Sequence, residues 1–508
     1  MGKAGTRRSR PENAGEDAMG LTWVRDLGPS ILAMLFNSLP FLVFFAAFFP
    51  IYWALRGRAR LWFSLLASNV FYGWWDWRFL ALLWFSTIFE FLVAQRLHAL
   101  PDGPGRRHLL AVSMTVNLGL LGFFKYFNFF AGSARGALVS AGLHVPPVVL
   151  HVVLPVGISF YTFQTMSYAI DVYRRQFIPE TDLLKFATSV ALWVHLVAGP
   201  IVRARHLLPQ LQTDRAFGLE FATEGFEQVL RGFFKKVVVA DSLAPFVDAT
   251  FLAPPLMDGT ALAIAVYFYA IQIYCDFSGY TDIALGCAKL LGYDLGVNFD
   301  RPYFSTNFTE FWRRWHISLS SWLRDYLYIP LGGNREGRLR TYRNLAITML
   351  LGGLWHGANW TFVVWGALHG AYLIVQSVVA KPLAAAVGAL RLPEVVVSAV
   401  AGLLVFHLTV FAWIFFRAPT FAIAREVIVG IAARFTPSLA QVPSKFIVLK
   451  GLGLMAVLLG AEWASFRPRL VARVGERPAF RYAVAASIVW SLALLGTFSG
   501  HNFIYFQF

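Results

Sequence analysis

The 508-residue sequence has few charged residues and almost no cysteine. Asp, Glu, Lys and Arg together make up 14% of the chain, against about 25% in an average soluble domain, whereas hydrophobic residues make up 57%. This composition excludes an ordinary soluble enzyme. The two cysteines, Cys275 and Cys287, are too few for a disulfide framework or a structural zinc site, so we interpret them as packing residues.

The motifs of several enzyme classes are also missing. The sequence contains no Gly-x-Ser-x-Gly turn and no glycine-rich phosphate loop, which argues against serine hydrolases and nucleotidases. It contains no His-Glu-x-x-His, and its other histidines show no recognisable ligand spacing, so we expect no bound metal. No internal repeat is evident, which argues against a secondary transporter or flippase, the main alternative for a helical membrane protein with buried charges.

The sequence contains many long apolar runs. The mean hydropathy is +0.57, and runs near or above the roughly 18 residues needed to cross a bilayer recur along the whole chain. They predict an all-α polytopic protein embedded in the lipid bilayer. The candidate spans lie near residues 30–55, 61–77, 79–98, 108–131, 148–170, 183–202, 228–252, 260–290, 345–376, 397–416, 446–465 and 482–498.

The domain organisation is correspondingly simple. Residues 1–29 form a polar tail without the small-residue cleavage motif of a signal peptide, so we interpret them as a solvated segment. Residues 30–508 form one membrane domain, because its short connectors leave no room for a separate extramembrane domain.

The charge balance indicates how the chain is oriented in the membrane. There are 44 Lys and Arg against 28 Asp and Glu, a net charge of +16, which in a soluble chain would suggest a nucleic-acid partner. Here the arginines cluster in short connectors, 56–60 and 467–481, which is typical of cytoplasmic loops and predicts no nucleic-acid partner. The run 482–498 then leads outward, and the tail 499–508 is expected on the extracytoplasmic side.

Residues 298–344 are too charged to span a membrane and yet rich in aromatic side chains. At about 100° per residue, one helical arc contains Trp312, Trp315, His316, Leu319, Trp322, Leu323, Tyr326 and Leu327. The charged residues Arg313, Arg314, Arg324 and Asp325 fall outside it. The pattern predicts an interfacial helix whose three arginines bind either the phosphates of an acyl donor or anionic lipid. His316 is either functional or a buried histidine bonded to a backbone carbonyl.

A second histidine, His356, lies in an otherwise apolar run from Leu345 to Val375. An ionisable group at membrane depth is costly and usually marks a functional site. The alternative is a core histidine bonded to Asn359 or to a neighbouring helix. Nearby glycines, including Gly353 and Gly357, permit close backbone approach or a broken helix.

Other buried polar residues are given structural roles. On one regular helix the 13 positions from His356 to His369 correspond to a rotation of about 220°, so the two would not share a face. We therefore predict a structural role for His369. Asp276 and Asp282 are interpreted as paired interior carboxylates rather than catalysts.

His356 has no serine or cysteine nucleophile in a recognisable motif beside it, which suits a transferase whose nucleophile comes from elsewhere. A buried imidazole can act as a general base, a role worth about 10²–10⁴ in rate, by accepting the proton of an attacking hydroxyl. His316 would then orient His356, bind the donor carbonyl or govern entry to the site.

Three runs carry a resemblance to a known family: YCDFSGYTDIALG (274–286), FWRRWHISLSSWLRDYLYIPLGGNR (311–335) and GGLWHGANWTFVVWGALHG (352–370). Together they resemble the membrane-bound O-acyltransferases, and more narrowly the alginate O-acetylation branch. The similarity extends over about residues 34–508, including VAGPIVR (197–203) and the terminal FIYFQF.

The resemblance implies a bundle of about eleven spanning helices around a central tunnel, with a catalytic core at about residues 270–376. It implies His356 as the principal catalytic residue and His316 as its companion. It also implies a location in the bacterial cytoplasmic membrane and no bound cofactor. The donor would be a cytoplasmic thioester, acetyl-CoA or an acyl carrier, and the acceptor an exported polysaccharide or peptidoglycan. A periplasmic acetyltransferase of the SGNH type is the implied partner, and D-alanyl transfer to teichoic acid is the alternative reaction.

The C-terminal segment 503–508 has no charge and four aromatic residues. It is similar to the end of a small partner protein in the teichoic-acid D-alanylation system, which implies that Tyr505 relays the acyl group. Its phenol would attack the thioester and form an acyl-tyrosine. An aromatic belt at the membrane interface is the alternative.

Overall fold

The computed structural model describes residues 34–197, 199–439, 442, 444–467, 477–497 and 504. In this part of the chain the regular structure is helical and no strand occurs, which confirms the all-α prediction. Its first ten helices are α1 Leu39–Ala54, α2 Gly57–Asp76, α3 Leu80–Ala99, α4 Pro104–Leu121, α5 Phe127–Ser140, α6 Ile158–Tyr173, α7 Leu183–Ala191, α8 Trp193–Leu196, α9 Ala204–Gln212 and α10 Leu219–Phe233.

The helices of the C-terminal half include the longest ones. They are α11 Asp241–Leu252, α12 Gly259–Leu290, α13 Phe308–Arg314, α14 Ile317–Leu323, α15 Arg338–His356, α16 Trp360–Ala389, α17 Glu394–Arg417, α18 Phe421–Ala433, α19 Lys445–Ser465 and α20 Pro478–Leu495. Among the described residues, seven continuous helical stretches are long and apolar enough to cross a membrane. Two of these stretches, 57–99 and 104–140, each combine two helices. The expected total of about eleven spans stays a prediction.

Helix α12 is the centre of the bundle. Of its most apolar window, 78% is buried inside the protein, against 33% or less for each of the other six candidate spans. It packs along α10 at two glycine pairs, Gly232 with Gly279 and Gly225 with Gly286. A Cβ atom at Gly232 would lie 2.6 Å from the carbonyl oxygen of Gly279, so only glycine allows this close approach.

Three helical stretches widen into π-helical turns, at Gly122–Tyr126, Phe234–Ala240 and Arg324–Tyr328. Such turns occur frequently at functional sites because they change the direction of the side chains that follow. Each of the three contains charged residues, and two of them place a lysine, Lys125 or Lys236, in the interior.

The predicted continuous helix through residues 312–327 is wrong. Helix α13 ends at Arg314, and α14 begins only after His316, whose φ of 43° is left-handed. The break is held by Asn298, whose carbonyl oxygen accepts the N–H of Ile317 at 2.8 Å. The predicted separation of the two faces holds in large part, because Trp315, His316, Leu319, Trp322, Leu323 and Tyr326 are buried, whereas Arg313 and Arg324 are exposed and the other members of both sets are half-buried.

The apolar run 345–376 is also divided, into the antiparallel helices α15 and α16. The chain turns at Gly357, and Asn359 caps the start of α16 by accepting the N–H of Thr361 at 3.0 Å. At Gly353 and Gly366 the two backbones touch, leaving no space for a Cβ atom. Both consequences expected of the glycines, close approach and a broken helix, are therefore present.

Candidate active site

The structure brings His316 and His356 together in the interior of the bundle. His316 lies at the break between α13 and α14, and His356 is the last residue of α15. The centroids of their rings are 6.5 Å apart, and the two residues are 0% and 2% exposed. Two residues that are 40 positions apart in sequence thus form one buried pair.

Asn298 orients the ring of His316. Its side-chain Oδ1 accepts the backbone N–H of Ser318 at 3.1 Å and lies 3.3 Å from Nδ1 of His316. Because a backbone N–H can bond only to an acceptor, Oδ1 is the oxygen, and it favours the tautomer in which Nδ1 of His316 donates to it. The hydroxyl of Ser318 also lies 3.4 Å from Nδ1. In the favoured tautomer the neutral imidazole carries its lone pair on Nε2. A carboxamide side chain thus contacts this histidine.

The left-handed backbone of His316 also indicates that its surroundings hold this residue in place. For a residue with a Cβ atom this conformation costs about 1–2 kcal/mol, and it persists only where the surroundings impose it. The sequence analysis did not single out Asn298. The only sequence feature of Asn298 was an amide side chain at the start of the charged segment. Its contact with His316 could not be predicted, because the two residues are 18 positions apart in sequence.

His356 is enclosed by aromatic rings. The ring centroids of Trp355, Trp365 and Phe416 lie 5.1, 5.0 and 5.2 Å from that of His356. Asn359, one of the two partners named for a purely structural His356, donates its Nδ2 to the carbonyl of Pro419 at 2.8 Å. The ring of His356 is therefore packed among aromatic side chains.

Lys125 and Tyr126 bind the end of the helix that carries His356. Lys125 Nζ donates to the carbonyl oxygens of Trp355 and His356 at 2.7 and 3.2 Å, and the Tyr126 hydroxyl donates to that of Leu354 at 2.9 Å. The last carbonyls of a helix have no partner within it, so these bonds fix its end. Sequence reasoning missed Lys125, although an isolated lysine in the apolar run 108–131 was a signal.

Cavities occur both at His356 and at a group of arginines. A cavity of about 80 Å³ is lined by Lys125, Trp355, His356 and residues 154–160. A second cavity, of about 240 Å³, is lined by three arginines, Arg174, Arg203 and Arg205, together with Asp171, Gln176, Asp325, Tyr326 and Ile329. We call the second one the basic cavity.

A series of stacked aromatic rings joins the basic cavity to the histidines. Tyr326 contacts Trp322 at 5.2 Å between ring centroids, and Trp322 stacks on Phe163 at 3.8 Å. Phe163 contacts Trp355 at 5.7 Å, and Trp355 contacts His356 at 5.1 Å. The interior between the basic cavity and the histidines is therefore aromatic.

Comparison with known proteins identifies the family. A sequence model of the membrane-bound O-acyltransferase family matches residues 159–387. A protein of Azotobacter vinelandii named as a probable alginate O-acetylase is 46% identical over 345 residues, which cover 68% of this chain and 68% of that protein. The chain belongs to the membrane-bound O-acyltransferase family. It is a multi-pass membrane acyltransferase of the branch that contains the proteins named alginate O-acetylase.

Two further relatives of this acyltransferase have other names. The peptidoglycan O-acetyltransferase of Helicobacter pylori is 35% identical over 437 residues, which cover 79% of this chain and 80% of that protein. The teichoic acid D-alanyltransferase of Streptococcus thermophilus is 30% identical over 233 residues, covering 43% of this chain and 56% of that protein. The acyltransferase is therefore similar to proteins named for three different polymers.

The predicted donor-binding arginines of the acyltransferase lie in different surroundings. Arg313 is exposed, and Arg314 forms an ion pair with Glu310 at 2.7 Å. Arg324 pairs at 2.8 Å with Asp325, which lines the basic cavity. Although burial raises the pKa of the Asp325 carboxyl, hydrogen bonds from two arginines outweigh it and hold that pKa below its usual value. This carboxylate therefore stays ionised and keeps the guanidinium groups in place.

His369 of the acyltransferase is closer to His356 than expected. Both rings contact Trp365, at 5.0 Å for His356 and 4.8 Å for His369. The expectation of separate faces was wrong because the two residues belong to two antiparallel helices rather than to one. His369 also stacks on Phe311 at 5.8 Å, and neither of its ring nitrogens has a hydrogen-bond partner among the described residues.

The interior carboxylates are paired with lysines. Lys235 binds Asp282 at 2.8 Å, and Lys236 binds Asp276 at 2.5 Å. The prediction of paired interior carboxylates is thus confirmed. Tyr505, the predicted acyl relay, and most of the tail 499–508 lie outside the described residues. Ile504 is described and is 5% exposed.

Proposed function

We propose that this acyltransferase moves an acetyl group from a cytoplasmic thioester to hydroxyl groups of an exported polysaccharide or peptidoglycan. The single observation that carries the proposal is the buried pair of His316 and His356, 6.5 Å apart, at the inner end of an aromatic path. The relatives named alginate O-acetylase and peptidoglycan O-acetyltransferase support an acetyl group and a polymer acceptor. We place the protein in the bacterial cytoplasmic membrane.

The proposed reaction needs one base and one oriented thioester. His356 accepts the proton of the attacking hydroxyl while the hydroxyl oxygen bonds to the thioester carbonyl carbon. The carbon–sulfur bond then breaks, and the imidazolium returns the proton to the leaving thiolate. His316 is held through Nδ1 by Asn298 and presents its other ring nitrogen, Nε2. It orients either His356 or the thioester carbonyl. The protein binds no cofactor in this scheme.

The basic cavity is the proposed entry for the donor. Its arginines suit the phosphates of CoA or the phosphopantetheine of an acyl carrier, because guanidinium groups bind phosphate in a bidentate manner. Arg324 adds a further positive charge through its pair with Asp325. Arg313 and Arg314 stay candidates for donor phosphates or anionic lipid. The positive-inside rule predicts that the arginine-rich connector 56–60 is cytoplasmic. Arg58 of this connector forms an ion pair at 2.6 Å with Asp182, which lies on the chain segment that follows Arg174 of the basic cavity. This pairing supports a cytoplasmic entry for the donor.

Tyr505 is the proposed relay to the outer side. Its hydroxyl would attack the thioester with His356 as the base, giving an acyl-tyrosine and a free thiol. A hydroxyl of the polymer, or of a periplasmic SGNH-type partner, would then take the acetyl group and regenerate the phenol. This order of steps requires an extracytoplasmic C-terminus, which the arginines at 467–481 support.

D-alanyl transfer is the second candidate function, because the Streptococcus thermophilus relative is a teichoic acid D-alanyltransferase. Acetyl transfer and D-alanyl transfer can be distinguished by incubating purified protein in lipid nanodiscs with radiolabelled acetyl-CoA or with a D-alanyl thioester. We expect thiol release and labelling of the protein or polymer from the acetyl donor only. His356→Ala should abolish release, whereas His144→Ala, at an exposed histidine, is the matched control. Equal release by His356→Ala and the parent protein would reject the proposal.

A further inference from the structure

A buried group of three charges lies beside the histidine pair. Lys236 Nζ is 2.8 Å from a carboxylate oxygen of Asp241 and 2.5 Å from Oδ1 of Asp276. The three residues are 1%, 3% and 3% exposed. Charges at this depth are expensive even when paired, so their presence calls for a role beyond packing.

The three charges come from elements that meet at the centre of the bundle. Lys236 belongs to the π-helical turn Phe234–Ala240, Asp241 begins α11, and Asp276 lies in α12. The next residue, Phe277, contacts the ring of His316 at 4.7 Å between centroids. Asp276 therefore precedes directly in sequence a residue that contacts His316.

The C-terminal segment of the chain reaches this charged group. Oδ2 of Asp276 accepts the backbone N–H of Ile504 at 2.8 Å. The side chain of Ile504 belongs to the hydrophobic cluster that also contains Trp365 and Phe416, the rings around His356. Ile504, four positions before Phe508, is thus buried in the same hydrophobic cluster as two of the rings around the proposed catalytic base.

A second contact fixes the same segment where it leaves α20. The backbone N–H of Thr497 donates to the carbonyl of Val237 at 3.2 Å, and its hydroxyl is 3.1 Å from that of Ser242. Val237 and Ser242 follow Lys236 and Asp241 directly in sequence. Both ends of residues 497–504 are therefore attached to the elements that carry the three charges.

We propose that Lys236, Asp241 and Asp276 form a clamp that holds the C-terminal segment in the bundle. Lys236 binds one oxygen of Asp276 and so directs the other oxygen toward the segment. If all three groups are ionised, two carboxylates face one ammonium, and the remaining negative charge strengthens the bond to the peptide N–H. The clamp positions the backbone at 504 independently of its side chain. It deepens the proposed function, since the residue after Ile504 is the proposed relay.

Simple attachment of helices is a weaker account of the three charges. The glycine pairs already join α10 to α12, and Lys235 of the π-helical turn Phe234–Ala240 forms a separate ion pair with Asp282 of α12. Neither of these contacts requires a carboxylate oxygen directed at the chain end. Asp282 therefore provides a matched control for Asp276, on the same helix and also paired with a lysine.

Thiol accessibility tests the clamp without relying on activity. In a background with Cys275→Ala and Cys287→Ala, the single thiol of Ile504→Cys should react slowly with maleimide in the folded protein. Adding Asp276→Asn should raise the labelling rate at least tenfold, whereas adding Asp282→Asn should leave it within twofold. An unchanged rate in folded Asp276→Asn protein, or an equal increase with Asp282→Asn, would overturn the proposal.

Proline at position 504 tests the same bond through the backbone, and the alanine variant controls for the loss of the buried side chain. Ile504→Pro removes the N–H that Asp276 accepts, and Ile504→Ala keeps it while removing most of the side chain. Acetyl delivery should fall at least tenfold in the proline variant and stay above half in the alanine variant. Delivery that is normal with proline, or equally lost in both variants, would contradict the clamp.

The relay and the clamp fail in different ways. A Tyr505→Phe variant with normal delivery, combined with a loss in Ile504→Pro, would reject the relay and leave the clamp. An inactive Tyr505→Phe variant, combined with an unchanged thiol rate in Asp276→Asn, would reject the clamp and leave the relay.

Discussion

Lys125 donates to the main-chain carbonyl of His356 at 3.2 Å, so an interior ammonium holds the helix end that carries the proposed base. The two residues come from segments 231 positions apart. Lys125 also lines the cavity that reaches His356. The position of the imidazole therefore depends on a residue that shares no motif with it.

Replacing Lys125 with Met should lower kcat while leaving KM for the donor nearly unchanged. The substitution keeps a long, unbranched side chain but leaves two carbonyls without their donor, at a cost of about 1–3 kcal/mol. We expect about a tenfold loss of kcat from the displaced base, with Lys125→Arg restoring part of it. Tyr126→Phe, which loses only the bond to Leu354, is the control. Equal effects on kcat in Lys125→Met and Tyr126→Phe would argue against a special role for the ammonium.

His356→Ala should abolish acetyl transfer in protein that still folds. Removing a general base costs about 10²–10⁴ in rate, and here no other base is proposed. The measurement is thiol release from acetyl-CoA together with a melting temperature for the purified variant. Near-normal release by folded His356→Ala protein would return this histidine to a packing role.

Asn298→Ala should reduce turnover by about 10²-fold, because His316 then loses the acceptor that selects its tautomer. Asn298→Asp keeps an acceptor at the same place and should retain more activity than the alanine variant. A 15N NMR spectrum of labelled histidine would show the Nε2–H tautomer increasing in the alanine variant. Identical activity of the two variants would separate Asn298 from the chemistry.

Arg203→Gln should raise KM for acetyl-CoA at least tenfold with a smaller change in kcat. Arg203 lines the basic cavity and pairs with Asp325 at 2.7 Å, so its loss weakens a phosphate site rather than the base. Arg313→Gln, at an exposed position, should have little effect if that arginine binds only lipid. The check is KM for acetyl-CoA compared with acetyl-pantetheine, which lacks the phosphates. A similar rise in KM for both donors would exclude a phosphate site in this cavity.

Tyr505→Phe should stop delivery of acetyl groups to the polymer and leave donor binding intact. The change removes one hydroxyl and keeps the aromatic ring, so an interfacial belt would not be affected. Mass spectrometry of the wild-type protein after exposure to acetyl-CoA should find acetyl on the C-terminal peptide. Wild-type delivery by the phenylalanine variant would exclude the relay.

Much of this protein could be predicted without coordinates. Composition alone placed it in a membrane, because 57% hydrophobic residues cannot be covered by 14% charged ones in water. The runs around His316 and His356 identified the family and the two histidines. The pattern of buried and exposed residues in 312–327 was also correct, because it depends on periodicity over each short helix.

The positions at which the chain breaks or reverses a helix were harder to predict from the sequence. A left-handed residue such as His316 has no pattern of its own, since its conformation depends on bonds from Asn298, 18 residues away. The predicted angle between His356 and His369 assumed one helix, and the turn at Gly357 invalidated it. Periodicity describes side chains along a single axis, so it carries no information once the axis reverses.

Sequence by itself determined the fold class, the family and the two histidines, because hydrophobic runs and short motifs are local properties of the chain. Only the tertiary structure decided which distant charges surround them. Lys125 contacts the end of α15, Arg174 and Arg203 contact Asp325, and Asp276 contacts Ile504, across separations of 122 to 231 residues. In a membrane interior such charges are tolerated only when paired, and the pairing is set by how the helices pack rather than by spacing in the sequence.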